Sequence, residues 1–204
     1  MTTPATVSQS IERGILGLFV AAAAVVGILL LLPPIRQIAQ IAAGTTPVGL
    51  LTDAEVPHAA SGAGAGIQSA TFETAWVLAT GLGDATRGLV AAGIGFGALT
   101  AATTAGAIVY FFLLLMWKRP FHRSLVVATQ IAGGALLVGS VLSGGLGGLG
   151  RMMAASELNP IAGDVFLVGF SFEPGVLLAG VAVLALSFVF DRGQRLQRDT
   201  EGLV

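Results

Sequence analysis

Asp53, Glu55 and His58 fall within six positions of one another. Carboxylate oxygens and an imidazole are ligands that divalent metals accept. The only other histidine, His122, is distant in the chain. The plainer reading is a solvated loop, and no metal or cofactor is expected. Glu173 closes an aromatic stretch and precedes Pro174. A carboxylate beside lipid is a functional candidate by default. Its plainer role is a helix cap, because Glu complements a helix N-terminus and Pro suits the first helical position. Gln130 can hydrogen-bond across helices as packing glue. Thr100, Thr103 and Thr104 either line a polar path or bond their own preceding carbonyls. Tyr110 reads as an interface or packing residue. Arg192, Arg195 and Arg198 form a helical stripe that suits a cytosolic partner or anionic lipid. It serves equally as a topology anchor.

Other chemistries are excluded. The chain has no cysteine, which removes disulfides, thiolate nucleophiles and cysteine metal sites. Two histidines exclude a multi-histidine metal centre. No Ser-His-Asp set has recognisable spacing. No Lys-Ser or Lys-Thr follows the glycine tracts, so they are not phosphate loops. A net charge of −1 gives no nucleic-acid footprint. These observations point away from an enzyme.

The elements that carry these residues are apolar. Hydrophobic residues make up 54% of the chain and charged residues 10%, with mean hydropathy +0.87. Soluble domains carry about a quarter charged residues. Several runs approach or exceed the ~20 residues that cross a bilayer's hydrocarbon. The expected fold is an all-α polytopic membrane protein: one membrane domain, four transmembrane helices and a small extracytoplasmic β element. The spans are expected at 11–32, 89–116, 124–150 and 174–190. A signal peptide is the rival reading of the first span, but the apolar part is long and Leu-Leu-Pro-Pro-Ile-Arg is a poor cleavage site. Pro33 and Pro34 are expected to break or kink that span, leaving 35–43 as a short interfacial helix.

Between spans two and three stands Trp117-Lys-Arg-Pro-Phe-His-Arg123. Trp suits the headgroup level, and Lys118, Arg119 and Arg123 suit the cytoplasmic side. Cytoplasmic segments then hold Arg13, Lys118, Arg119, Arg123, Arg192, Arg195 and Arg198. Opposite segments hold Arg36, Arg87 and Arg151. Seven against three follows the positive-inside rule. The expectation is a multi-pass protein of the plasma membrane with both termini cytoplasmic and a tail at 191–204.

The insert at 44–88 carries turn signals and two strand-like runs, 48–52 and 67–80. The second alternates, with Phe72, Thr74, Trp76 and Leu78 on one face and Thr71, Glu73, Ala75 and Val77 on the other. The aromatic run 164–172 reads as a third strand, expected to pair with 67–80 through the Phe72, Trp76 and Leu78 face. In the spans, small residues recur every four positions: Gly93, Gly97, Ala101 and Ala105, then Ala135, Gly139, Ser143 and Gly147, and a parallel ridge of Ser140, Gly144 and Gly148. Such ridges let helices approach closely. Spans two and three are expected to pack against each other or a neighbour, which leaves a homo-oligomer open. The glycines at 144–150 are expected to loosen the end of the third span.

Two stretches carry a resemblance. Lys118-Arg-Pro-Phe-His-Arg123 resembles a Gly-x-Pro-Phe turn between spans two and three. The tail Phe190-Asp-Arg-Gly-Gln-Arg-Leu-Gln-Arg-Asp-Thr-Glu-Gly-Leu-Val204 resembles a Phe-Arg-x-Gly-x-x-Leu-x-x-Asp-x-Glu-x-Leu-Val pattern. With Phe170-Ser-Phe172, these are similar to bacterial membrane proteins of the domain-of-unknown-function 2975 family. That resemblance implies four spans, an extracytoplasmic β insert and no known activity. It also implies a gene setting that some members share with small helix-turn-helix regulators. The leading expectation is a non-enzymatic sensor, regulatory or accessory subunit that meets a cytosolic or membrane partner. The alternative is a small transporter or a subunit of one.

Overall fold

The computed structural model describes residues 4–54, 71–117 and 123–201, with side chains described over 13–54, 71–117 and 123–193. The element order is α1 (Pro4–Ala42), β1 (Thr45–Leu51), β2 (Thr74–Thr80), α2 (Asp84–Met116), α3 (Arg123–Ala162) and α4 (Pro174–Glu201). Each helix contains a stretch long and apolar enough to cross a membrane. Residues 118–122, expected as the turn between spans two and three, and the glycine-alanine stretch within 55–70 lie outside the described residues.

The chain divides into two compact units. One comprises 1–34, 96–141 and 173–204, and the other 35–95 and 142–172. In the first unit, small residues set the packing. A Cβ on Gly139 would collide with the Thr100 hydroxyl, and one on Gly27 would meet the Ala105 methyl at 2.8 Å. Between α3 and α4 the fit is side chain into notch: Leu184 fills the space at Gly133, and Leu137 that at Gly180. Phe19 stacks on Phe112, with ring centroids 5.3 Å apart, and the Tyr110 hydroxyl donates to Ser124 Oγ at 2.7 Å.

The second unit holds the sheet. β1 and β2 pair antiparallel from Thr45↔Thr80 to Leu51↔Thr74. Val48 and Leu50 point inward from β1, and Val77 and Ala79 from β2. They pack with Ile41 of α1, Leu82, Val90 of α2, and Ala154 and Ala155 of α3. Two-stranded sheets are marginal alone, so the helices supply the second wall of this core.

Several expectations are corrected here. Pro33 and Pro34 do not end α1, which runs on through the segment read as a separate interfacial helix. Proline removes one ladder bond but leaves the flanking turns intact, and apolar helices tolerate that loss. The glycines at 144–150, expected to loosen the end of the third span, do not interrupt α3, which continues to Ala162. They are contact points: Gly147 lies against Gly93, Gly150 against Val90, Gly148 against the Phe170 ring and Gly144 against Phe172. The Ser140/Gly144/Gly148 ridge therefore receives phenylalanines at two positions, where a helix was expected. On β2, Trp76 and Leu78 are exposed, as is Phe72 just before the strand. The smaller Ala75, Val77 and Ala79 form the inward face, since that is what fits against α2 and α3.

The 164–172 run is neither a full strand nor a partner of β2. It is an extended strap with a single bridge, Phe166↔Thr52, at the end of β1. The Leu167 N–H donates to the Leu51 carbonyl at 2.9 Å, and the Thr52 hydroxyl donates to the Val165 carbonyl at 2.8 Å. Gly163 (φ 73°) and Asp164 (φ 59°) turn the chain off α3. Both adopt the left-handed region, which Gly takes freely and Asp tolerates.

The Gly93–Gly147 contact is asymmetric. A Cβ on Gly93 would meet the Gly147 backbone at 2.5 Å, whereas one on Gly147 would lie 3.5 Å from Gly93 Cα, an ordinary contact. Gly93→Ala is expected to destabilise the protein by about 1–3 kcal/mol through overpacking. Gly147→Ala is expected to be neutral or to stabilise by up to ~1 kcal/mol through helix propensity. Thermal unfolding of both variants in mild detergent checks this. Equal melting temperatures for the two would refute the contact.

Candidate functional site

Polar contacts in the sheet-bearing unit collect at helix ends. A helix leaves its first N–H groups and last carbonyls without internal partners. At the end of α1, the Ile41 carbonyl accepts from the Gly44 N–H and from Arg87 Nη2 at 2.8 Å. A cation there also complements the negative pole of the helix. At the start of α2, Glu157 of α3 accepts from the Gly83 N–H at 2.9 Å and from the buried Thr86 hydroxyl. Arg87 also stands 3.5 Å from exposed Asp84, a pair worth little in water. One turn of α2 thus accepts a carboxylate from α3 and gives a guanidinium to α1.

Asn159 makes a third fastening. Its side-chain amide donates to the Phe166 carbonyl at 2.8 Å, and its side-chain oxygen accepts the Phe166 N–H at 3.0 Å. The Asn side chain thereby imitates a neighbouring strand for one residue of the strap. A narrow crevice lies between β1, α3 and the strap, lined in part by Leu51, Arg151, Leu167 and Ser171. Arg151 is its charged lining residue.

Glu157 follows the apolar 124–150 stretch and is exposed. Its carboxyl pKa is held below the ordinary value, first by the Thr86 hydroxyl and then by the Gly83 N–H, with slight burial opposing. Both donors favour the charged form.

The residues singled out by sequence separate into groups. Asp53 is exposed, while Glu55 and His58 lie outside the described residues. Among the described residues no group of three metal-ligating side chains comes together. Glu173 is exposed and immediately precedes α4, and Gln130 is exposed on α3. Thr100, Thr103 and Thr104 donate to the carbonyls of Phe96, Leu99 and Thr100, each at 2.8 Å. Gly93 and Ser143 meet directly, the Ser143 hydroxyl donating to the Gly93 carbonyl at 2.8 Å. Gly97 and Ala101 are half-buried. Arg123 opens α3 and is exposed, as is Arg192 on α4; Arg195 and Arg198 belong to the same helix. Lys118 and Arg119 lie outside the described residues.

Sequence reading missed Arg87, Glu157 and Asn159 as fastenings. Glu157 and its partners Gly83 and Thr86 are separated by 74 and 71 positions, and no local pattern marks such a pair. Comparison of the chain with family models, curated proteins and solved structures gives no match.

Glu157→Ala is expected to destabilise by roughly 0.5–2 kcal/mol, the range of a lost helix cap, toward the lower end because the carboxylate is exposed. Its folded pKa is depressed. The contribution is therefore present above the ordinary carboxylate value and fades as pH falls through the lower folded value. Glu157→Gln should flatten this part of the acid limb in a melting-temperature profile. An unchanged acid limb would show that the carboxylate does not hold α2.

Proposed function

We propose that this chain is a non-enzymatic multi-pass protein of the cell membrane, acting as a sensor, regulatory or accessory subunit through its C-terminal helix. Both termini and the 118–122 turn face the cytoplasm in this reading, and the β hairpin faces the opposite side. The observation that carries it is the continuity of α4. One helix joins an apolar stretch, Pro174–Gly193, to a polar end that reaches Glu201. A continuous helix transmits a shift or rotation from its apolar part to its arginines, whereas a flexible tail would not. The stripe of Arg192, Arg195 and Arg198 offers a cytosolic partner a charged face.

The threonines add support. Thr100, Thr103 and Thr104 spend their hydroxyl protons on their own helix, which favours a structural interior over a polar transport path. The resemblance of the tail to domain-of-unknown-function 2975 proteins agrees with a regulatory role beside cytosolic regulators. It is a resemblance of motifs and is proposed on that footing.

Two measurements test the reading. The chain has no native cysteine, so a single introduced thiol reports one position. Ser61→Cys should react with an impermeant thiol reagent on intact cells, and Ser10→Cys only after permeabilisation; the reverse pattern would overturn the orientation. Full-length protein isolated from native membranes in mild detergent should carry a partner that high salt weakens, since exposed charges are screened. Replacing Arg192, Arg195 and Arg198 together with Ala should release that partner without lowering the melting temperature. Retention of every partner by this variant would sink the role given to the tail.

A further inference from the structure

The two faces of the hairpin differ in what covers them. The inward face closes on the helices. The outward face carries Pro47 and Leu51 of β1 beside Trp76 and Leu78 of β2, with Phe72 just beyond. Trp76 is 75% exposed, Leu78 61% and Phe72 51%. Thr45 and Thr80 frame one end of the face and Thr74 the other. No charged residue lies on either strand. A sheet that meets water on one side alternates apolar-in and polar-out. Here both sides are apolar.

We propose that this outward face is an interfacial membrane contact, seated among lipid headgroups at the mouth of the spans. The inference rests on the membrane reading given above. Three observations select a lipid surface. The face combines an aromatic ring that favours the bilayer interface with threonine hydroxyls at its ends, and its two strands carry no charge, the exposed carboxylates Asp53 and Glu73 lying beyond their Leu51/Thr74 end. The sheet is held at the apolar mouth, because its inward face packs on Val90, Ala91 and Ile94, the first turns of the apolar part of α2. Its connections are short: residues 43–44 link it to α1, and 81–83 link it to α2. It cannot swing far from those helix ends. Area argues against a protein partner. Two seven-residue strands present a footprint of roughly 24 by 10 Å from strand rise and spacing. That is well under the ~800 Å² per partner of a stable interface.

The glycine opposite Trp76 fits this role. Gly49 pairs with Trp76 across the ladder, and a Cβ there would touch the indole at 3.7 Å. The bare backbone gives the ring a platform and leaves its other side available to lipid.

The test uses fluorescence of the full chain in phosphatidylcholine vesicles. The protein has two tryptophans, so Trp117→Phe isolates Trp76. If that variant folds poorly, the difference between the parent and Trp76→Phe reports the same ring. Resistance of the reconstituted protein to alkaline extraction first checks the membrane reading by itself. Trp76 emission should then be lost in vesicles brominated near the top of the acyl chain and persist with aqueous iodide. Quenching by iodide but not by brominated lipid would overturn the proposal and leave the face in water. Protection from both quenchers would also overturn it, by showing that protein covers the face.

Discussion

The start of α2 is where the sheet-bearing unit is fastened. A helix that begins beside an apolar core leaves N–H groups that need partners and a positive pole that favours an anion. Glu157 of α3 supplies the anion. One turn later Arg87 reaches the Ile41 carbonyl and closes the end of α1. Three helix segments are thus positioned by two side chains. The hairpin then needs only to lay Val48, Leu50, Val77 and Ala79 on the surface they form.

Packing along α3 follows a second constraint. Small residues let apolar helices approach closely, and side chains fill the notches they leave. Within the sheet-bearing unit, α3 meets α2 at Gly147 and Gly150 and presents Gly144 and Gly148 to the strap phenylalanines. Within the other unit, Gly139 meets Thr100, and Gly133 receives Leu184. Glycine acts here mainly by absence of volume. Despite glycine's low helix propensity, α3 runs unbroken through these positions.

The strap shows how an extended segment is held without a sheet. Its first residues borrow one edge from β1 and another from the Asn159 side chain. Phe170 and Phe172 fit the glycine notches of α3. The chain thus passes from α3 to α4 with its ordering supplied by neighbours at separate points.

Sequence alone determined the four apolar helices, because length and hydropathy are local properties and a long apolar run has few other solutions. It also gave the hairpin and the two-residue period of β2, since alternation is written along the strand. It marked the α4 start at Glu173-Pro174 and the self-bonding threonines, for which the neighbouring residues suffice. Tertiary structure decided which β2 face turned inward. Trp76 and Leu78 are the larger side chains, but the space beside Val90, Ala154 and Ala155 fits the smaller set. It also decided that the strap meets β1, because the Gly163-Asp164 turn off the end of α3 delivers Phe166 beside Thr52. Finally, it decided that Arg87, Glu157 and Asn159 matter. Their partners are helix ends and a strap backbone, and a charged or amide side chain carries no mark of which unpaired group will come within its reach.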